Sequence, residues 1–220
     1  MKTLLRAAAI AVASTALVAG GAVTTGASAA PGDTASIGVA DTALNGFKGT
    51  TTKVIPVTLT SNRTAVYATV VVNGVPVAGD VFVGSTGFTY QQAWGPGVVT
   101  LTALKDRSGP TGQPVAGGSN PFTVRYGVDL SSRIQVQKRG KKLTFKLKAK
   151  YIDNRGVSVG LRKATIQVKK GSKWKTLKNV SLKSNGTRTY KTSSKKKRNY
   201  RLLIKTTSTV QGGNTRPVKL

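Results

Sequence analysis

The residues that decide the fold are 142–151, Lys142-Leu143-Thr144-Phe145-Lys146-Leu147-Lys148-Ala149-Lys150-Tyr151. Every odd position is apolar and every even position is lysine or threonine. Because successive side chains of a strand point to opposite faces, this period of two predicts a strand with one packed face and one solvated face. The same alternation recurs in residues 133–137 and 164–169, and Asn185-Gly186 supplies a turn. Residues 126–220 therefore predict a β-sandwich.

The preceding part of the chain also predicts strands. Short β-branched runs recur at intervals of roughly ten residues, which is typical of a sandwich. They occupy residues 53–59, 66–72, 80–83, 87–90, 98–103 and 122–124. Asn73-Gly74 predicts a two-residue hairpin turn, and Pro56 inside its run predicts an edge strand or a bulge. The predicted fold class is all-β, with two tandem antiparallel β-sandwich (Ig-like) domains.

Charge divides these two parts sharply. Residues 31–125 contain six basic residues and four Asp, a net charge of +2, whereas residues 126–220 contain 27 basic residues and two Asp, a net charge of +25. The step follows a loop rich in turn-forming residues at 108–121. We therefore predict a near-neutral domain over residues 31–125 and a strongly basic domain over residues 126–220.

The first thirty residues predict a secretory signal peptide. Lys2 and Arg6 precede an uncharged run at residues 7–23, and Ala27-Ser28-Ala29 is a small-residue cleavage motif. A retained membrane anchor is the alternative, but the run is rich in Ala, Gly and Thr and is short for a membrane span. We predict removal of residues 1–30, a secreted or cell-wall-associated product, and no transmembrane segment in the mature chain.

The basic domain resembles the Ig-like and carboxypeptidase-regulatory-like β-sandwich modules of secreted actinobacterial proteins. The resemblance depends on residues 161–168, the Trp-containing segment 174–177, the turn at 184–187, and Tyr200-Arg201-Leu202. It covers residues 126–220 and implies a non-catalytic spacer or binding unit, with Trp174 and Tyr200 in packing roles. Residues 31–125 look Ig-like only loosely.

Composition argues against most enzyme classes. The chain has no His, no Cys and no Glu, which removes the commonest general base, the thiol nucleophile and the usual zinc ligands. The six Asp lie apart in turn-like contexts, where Asp is common. An Asp pair for glycoside hydrolysis and a Ser–Lys dyad are the remaining catalytic alternatives. We predict no enzymatic activity, no metal site and no cofactor.

The excess of lysine and arginine is the positive feature. Alternate residues of a strand lie about 7 Å apart on one face, so the lysines at even positions of residues 142–151 predict a charged ladder. A surface that only confers solubility normally mixes charges of both signs. We therefore predict that polyanions bind to a ladder of Lys142, Lys146, Lys148 and Lys150, extended by other basic residues; the sequence leaves open whether all of them share one continuous face. The residues that extend the ladder are Lys169, Lys173, Lys175, Lys195, Lys196, Lys197 and Arg198.

The partner predicted from these features is an anionic cell-wall polymer or another polyanion. Sequence-specific nucleic-acid binding is not predicted, because Phe145, Tyr151, Trp174 and Tyr200 are assigned to the core and leave few aromatic residues for base stacking. Trp94 is predicted to pack over one end of the hydrophobic core; stacking against a sugar ring is the alternative. The alternative function is an Ig-like spacer or adhesion module that acts through protein–protein contacts.

Overall fold

The computed structural model describes residues 33–49 and 51–220, so the predicted signal peptide lies outside the described residues. This part of the chain forms twenty β-strands and one 3₁₀ turn at Gln92–Trp94. No helix within these residues is long and apolar enough to cross a membrane. The first ten strands are β1 (Thr34–Val39), β2 (Thr42–Ala43), β3 (Thr52–Ile55), β4 (Val57–Ser61), β5 (Ala65–Val72), β6 (Val75–Gly84), β7 (Gly87–Gln91), β8 (Gly97–Lys105), β9 (Ala116–Ser119) and β10 (Phe122–Arg125).

These ten strands form the N-terminal sandwich. A three-stranded sheet, in the order β4-β1-β9, packs against a seven-stranded sheet, in the order β2-β10-β8-β5-β6-β7-β3. Inward-facing residues of both sheets share one hydrophobic cluster, and Ile37 on β1 and Val70 on β5 are fully enclosed in it. Pairing is antiparallel except between β1 and β9 and between β10 and β2.

Pro56 marks the point where the chain changes sheets. The single run predicted at residues 53–59 is divided there into β3 and β4. β3 is the last strand of the seven-stranded sheet, and β4 is an outer strand of the three-stranded sheet. Proline has no N–H to donate to a ladder, so it fits a corner between two edge strands.

The hairpin predicted at Asn73-Gly74 is confirmed. It joins β5 to β6, and both turn residues have positive φ, 51° at Asn73 and 81° at Gly74. Two consecutive residues of this conformation make the turn whose twist matches that of the flanking strands. Asn73 also accepts a hydrogen bond from the backbone N–H of Val98, at 3.0 Å.

The last ten strands form the C-terminal sandwich. They are β11 (Arg133–Arg139), β12 (Lys142–Lys148), β13 (Lys150–Ile152), β14 (Ser158–Gly160), β15 (Lys163–Lys170), β16 (Lys173–Ser181), β17 (Thr187–Ser193), β18 (Asn199–Ile204), β19 (Gly213–Asn214) and β20 (Val218–Lys219). Sheet β11-β12-β17 packs against sheet β16-β15-β18, which β19 and β20 extend. The predicted all-β fold class, with two antiparallel sandwiches, is confirmed.

The core of this second sandwich follows the predicted phase on β12. Leu143, Phe145 and Leu147 are buried, and Lys142 and Lys146 are exposed. Ile166 on β15 and Leu202 on β18 enclose the same cluster from the other sheet. Inward-facing side chains from both sheets therefore make one continuous core.

Two aromatic residues assigned to this core lie elsewhere. Trp174 is opposite Lys169 on the outer face of the β16-β15-β18 sheet, and the Cζ of Arg201 lies 4.3 Å from its ring centroid. Tyr151 stacks on Tyr126, with ring centroids 5.4 Å apart, outside the second cluster. The prediction was correct for Phe145 and Tyr200, which are buried in that cluster, and wrong for Trp174 and Tyr151.

The two sandwiches meet through main-chain hydrogen bonds. The N–H of Gly49 donates to the carbonyl of Gly156 at 3.0 Å, and the N–H of Leu130 donates to the carbonyl of Gly46 at 3.2 Å. The side chain of Gln92, 1 % exposed, donates through Nε2 to the carbonyl of Asp153 at 2.5 Å. We call this set of contacts the joint. The predicted domain boundary at residues 125 and 126 stays a prediction.

Candidate anion-binding face

The outer face of sheet β11-β12-β17 gathers basic side chains from all three strands. Directly opposed residues of an antiparallel pair point to the same side. The register opposes Arg133 to Lys148 and Arg139 to Lys142 on β11 and β12, and Thr144 to Lys191 on β12 and β17. With Lys146, these residues define the basic face: Arg133, Arg139, Lys142, Lys146, Lys148 and Lys191.

Like charges stand directly opposite one another on this face. The Arg139–Lys142 and Arg133–Lys148 pairs lie at the two ends of the β11–β12 ladder. Like charges in directly opposed positions destabilise a sheet. Lys142 and Lys148 are six residues apart, which is about 20 Å along an extended strand. The charge therefore extends along the strand direction instead of converging on one point.

Two shallow depressions lie on the same face. One, of about 660 Å³, is lined by Gln137, Arg139, Lys142, Leu143, Thr144, Lys191 and Thr192. The other, of about 300 Å³, is lined by Arg133, Gln135, Lys146, Leu147, Lys148, Lys183, Thr187, Arg188 and Thr189. Each combines cationic groups with neutral amides and hydroxyls, which suits oxyanions flanked by hydroxyl or ether groups.

The structure brings together only part of the predicted set. Lys142, Lys146 and Lys148 share the basic face, but Lys150 lies on β13, which pairs with β14. Lys169 lies on the opposite sheet, and Lys173 and Lys175 lie on its edge strand β16. The predicted ladder therefore holds for Lys142, Lys146 and Lys148 but not for Lys150. That the eleven residues bind polyanion stays a prediction.

The predicted lysine loop lies at one end of the basic face. Lys195, Lys196, Lys197 and Arg198 connect β17 to β18. The N–H of Ser194 donates to the carbonyl of Lys141 at 2.8 Å, and Lys138 Nζ donates to the carbonyl of Lys195 at 3.4 Å. These bonds hold the loop beside the β11–β12 turn, so its charges add to those of Arg139 and Lys142.

Arg133, Arg139 and Lys191 are members of the basic face that sequence reasoning missed. Arg133 and Arg139 end the stretch Arg133-Ile134-Gln135-Val136-Gln137-Lys138-Arg139, six residues apart and therefore in the same strand phase. That spacing was a usable signal. Lys191 was not predictable, because only the register of β17 against β12 places it beside Thr144.

Both aspartates of the C-terminal sandwich are engaged in local turns. Burial raises the pKa of Asp129, but bonds from the Ser158 hydroxyl and from Ser131 outweigh this, and the pKa lies below its usual value. Burial likewise raises the pKa of Asp153, but the hydrogen bonds that it accepts from the N–H of Val157 and from Arg155 lower that pKa by more, so the net shift is downward. Both carboxylates are therefore ionised at neutral pH and already have partners.

The four aspartates of the N-terminal sandwich accept hydrogen bonds too, but they are less dispersed than predicted. The guanidinium of Arg63 contacts both Asp33 and Asp106, so these two carboxylates lie close together. The Arg63 bond lowers the pKa of Asp33. A glycosidase acid needs a raised carboxyl pKa, and Asp33 has the opposite shift.

Lys53 and Thr42 form a lysine–hydroxyl pair. Lys53 Nζ donates to Thr42 Oγ1 at 2.9 Å and contacts the carbonyl of Ala43, and burial lowers its pKa. A general base would direct a lone pair at the hydroxyl hydrogen. Here the ammonium group donates to two oxygen acceptors, which is a structural arrangement. Among the described residues, no three His, Cys, Asp or Glu cluster as metal ligands.

Trp94 has the packing role that the sequence predicted. It is half-buried against the first hydrophobic cluster and meets Tyr90 edge-on, with centroids 4.9 Å apart. The Tyr90 hydroxyl donates to the carbonyl of Gly95 at 2.8 Å, which ties the Trp94 turn to β7.

Comparisons with known proteins add little to this geometry. No protein-family model and no curated protein sequence matches the chain. Among solved structures, the D00-D0 domain of intimin matches with 15 % sequence identity, covering 84 % of this chain and 98 % of that one, at a TM-score of 0.27. A likeness this distant does not bear on function. The carboxypeptidase-regulatory-like resemblance stays a prediction.

Proposed function

We propose that the chain is an exported, non-catalytic binding or structural protein whose basic face contacts anionic polymers of the cell envelope. The observation that carries the proposal is the pairing of like charges at both ends of one ladder, Arg139 with Lys142 and Arg133 with Lys148. Such pairing lowers stability in the free protein. A bound polyanion would neutralise both pairs at once.

The shape of the face favours a linear ligand. Its charges extend about 20 Å along β12, whereas a single phosphate would contact only one end. The two depressions lie toward opposite ends of the ladder, with Arg139 and Lys142 in one and Arg133 and Lys148 in the other. A flexible chain with anionic groups at regular intervals can contact both. Wall teichoic acid, a phosphodiester polymer, has this form.

The test is retention of the full chain on immobilised teichoic acid over a salt series. The face variant combines Lys142→Gln, Lys146→Gln and Lys191→Gln. Its matched control combines Lys163→Gln, Lys178→Gln and Lys205→Gln, three exposed lysines outside the face. We expect affinity to fall at least tenfold for the face variant. Its log–log salt slope should be shallower by about 2, at about 0.7 for each phosphate that is no longer bound.

The control should bind within about threefold of the unmodified protein, because long-range charge alone is screened beyond about 10 Å at 0.1 M salt. Equal losses of affinity in the two variants would mean that net charge is sufficient and that the face is not a site. Retention that does not respond to salt would also contradict the proposal.

The alternative, protein-mediated adhesion, has one observation in its favour. Phe82 is 54 % exposed and Val54 is 59 % exposed on the seven-stranded sheet, and Phe82 meets Tyr67 edge-on at 5.6 Å. Phe82→Ser should reduce binding to cell surfaces under this alternative and leave it unchanged under polyanion binding. Cell-surface binding by the face variant gives the opposite readout.

A further inference from the structure

Arg201 is held in place on the sheet opposite the basic face. Its Cζ lies 4.3 Å from the centroid of the Trp174 ring, so the guanidinium is stacked on the indole. Its Nε donates to Gln167 Oε1 at 2.7 Å, and Gln167 is directly opposite Arg201 in the register of β15 and β18. Two neighbours therefore fix both the plane and the direction of the side chain.

Among the described residues, no carboxylate pairs with the outer edge of this guanidinium. Within residues 33–49 and 51–220, Nε is the only side-chain nitrogen of Arg201 for which a hydrogen bond is found. The six aspartates bond or pair with other residues, chiefly Arg63, Arg125, Lys105, Arg107 and Arg155. Immobilising an arginine costs conformational entropy, and no ion pair in the described part of the chain offsets that cost.

A second cation stands beside it. Lys169 is directly opposite Trp174 in the β15–β16 ladder and is exposed. Gln167 and Lys169 are alternate residues of β15, so they share the outer face and lie about 7 Å apart. A guanidinium edge with two coplanar N–H groups and a nearby ammonium matches the geometry of a carboxylate or phosphate group.

We propose that Arg201, fixed by Trp174 and Gln167, forms with Lys169 a second anion-binding site for carboxylate or phosphate groups. The two sheets of a sandwich face opposite directions, so the C-terminal sandwich has two separate anion-binding surfaces and can join two polymer chains. The joining of chains rests on the proposed function of the basic face; the second site itself does not.

Trp174 supplies the readout for the test; Trp94, the other tryptophan of the chain, lies in the N-terminal sandwich and contributes a background emission. The full chain is titrated with sodium phosphate, with sodium acetate, and with sodium chloride at equal ionic strength, and tryptophan emission is recorded. We expect a saturable change with phosphate or acetate and none with chloride. A response to phosphate alone would assign the site to phosphate polymers, and a response to acetate would extend it to carboxylated ones. No saturable response to either, or the same response to chloride, would overturn the proposal.

Three single variants distinguish a site of positioned side chains from a general positive field. Arg201→Gln and Lys205→Gln each remove one positive charge, and Gln167→Ala removes none. Gln167→Ala should weaken binding about three- to tenfold, because Arg201 must then be ordered by the ligand. Arg201→Gln should weaken it at least about tenfold, since it removes the guanidinium that makes a charge-assisted bidentate interaction. Lys205→Gln is the matched charge control and should bind as the unmodified protein does.

An unchanged affinity in Gln167→Ala would overturn the proposal, as would equal losses of affinity in Arg201→Gln and Lys205→Gln. The variant Lys142→Gln/Lys146→Gln/Lys191→Gln should keep the full tryptophan response; its loss would show that the two surfaces are one site. If teichoic acid binding fails while this response persists, only the proposed function of the basic face is wrong.

Discussion

At the residue scale, the joint depends on glycines that allow two main chains to approach closely. Gly156 has φ +74°, and a Cβ there would lie 2.3 Å from the carbonyl carbon of Gly49. Gly127 is similar, since a Cβ would lie 2.2 Å from the carbonyl oxygen of Leu44. Real Cβ atoms do not come this close to backbone, so any side chain at these positions would separate the sandwiches.

This close approach can be tested against a glycine of the same conformation. Gly171 has φ +62° but nothing within 4 Å of its Cβ position. Gly171→Ala should therefore lower the free energy of unfolding by about 1 kcal/mol, from left-handed backbone strain alone. Gly156→Ala should lower it by about 2–4 kcal/mol, because overpacking adds about 1–3 kcal/mol.

Urea denaturation monitored by circular dichroism measures both variants. Equal losses of unfolding free energy at Gly156 and Gly171 would mean that the joint accommodates the added methyl group and that the close approach is unimportant for stability.

At the element scale, β12 and β16 show how far the buried and exposed residues of a strand can be predicted from alternation in its sequence. β12 keeps a strict alternation, so its buried and exposed residues could be predicted individually. β16 carries a bulge opposite Ile166 and Gln167, where Leu177 is an extra residue between Thr176 and Lys178. An extra residue exchanges the two faces of a strand. Trp174 consequently lies outside although it shares the even numbering of Val180, which is buried.

Truncation of the two aromatic residues distinguishes these positions. Phe145→Ala should lower the free energy of unfolding by about 3–5 kcal/mol, since its side chain is fully buried in the core. Trp174→Ala should lower it by about 1 kcal/mol, the value of an exposed cation–π contact. Urea denaturation measures the free energy of unfolding of both variants. An effect of Trp174→Ala as large as that of Phe145→Ala would mean that Trp174 contributes to the core.

The limits of sequence prediction follow from the same elements. β12 supplied three members of the basic face, because Lys142, Lys146 and Lys148 alternate within one uninterrupted strand. β1 was not predicted: Thr34–Val39 contains small residues, Ala35, Ser36 and Gly38, that carry a weak strand signal. Its buried Ile37 packs only because β4 and β9, which are distant in sequence, flank β1.

The sequence predicted a basic strand face, but it did not predict which residues of the chain make up that face. Local patterning identifies which side chains of a strand share a face, but it does not identify the neighbouring strand. Lys169 and Lys142 have the same alternating signature, and the register places them on opposite sheets. The fixed guanidinium of Arg201 depends on three strands, β15, β16 and β18, so no local pattern could reveal it.

At the scale of the whole molecule, the chain contains 35 basic residues and only six aspartates. Hydrogen bonds and nearby cations lower the pKa of five of those aspartates, Asp33, Asp41, Asp80, Asp129 and Asp153, below 3.8. A carboxyl group whose folded pKa is lowered stabilises the fold at pH values above its unfolded pKa. That contribution disappears as pH falls through the folded pKa.

We therefore expect the midpoint of thermal unfolding to be nearly constant from about pH 7 to about pH 5 and to fall steeply below about pH 4. Protonation also raises an already large positive charge, which adds repulsion. Differential scanning calorimetry over this range, at fixed ionic strength, checks the expectation. A flat midpoint down to about pH 2 would show that the aspartate bonds contribute nothing.

The joint has a consequence for how this protein can diverge over evolutionary time. Its main-chain bonds link the N–H groups of Gly49 and Leu130 to carbonyl partners, and the Gln92 side chain donates to the carbonyl of Asp153 instead of its carboxylate. A contact made to backbone atoms tolerates almost any substitution that spares the glycines and Gln92, whose side chain is itself a donor. Descendants of this chain can therefore exchange the lysines of one sandwich for other surface chemistries, and so change ligands, while the attachment to its neighbour is inherited intact.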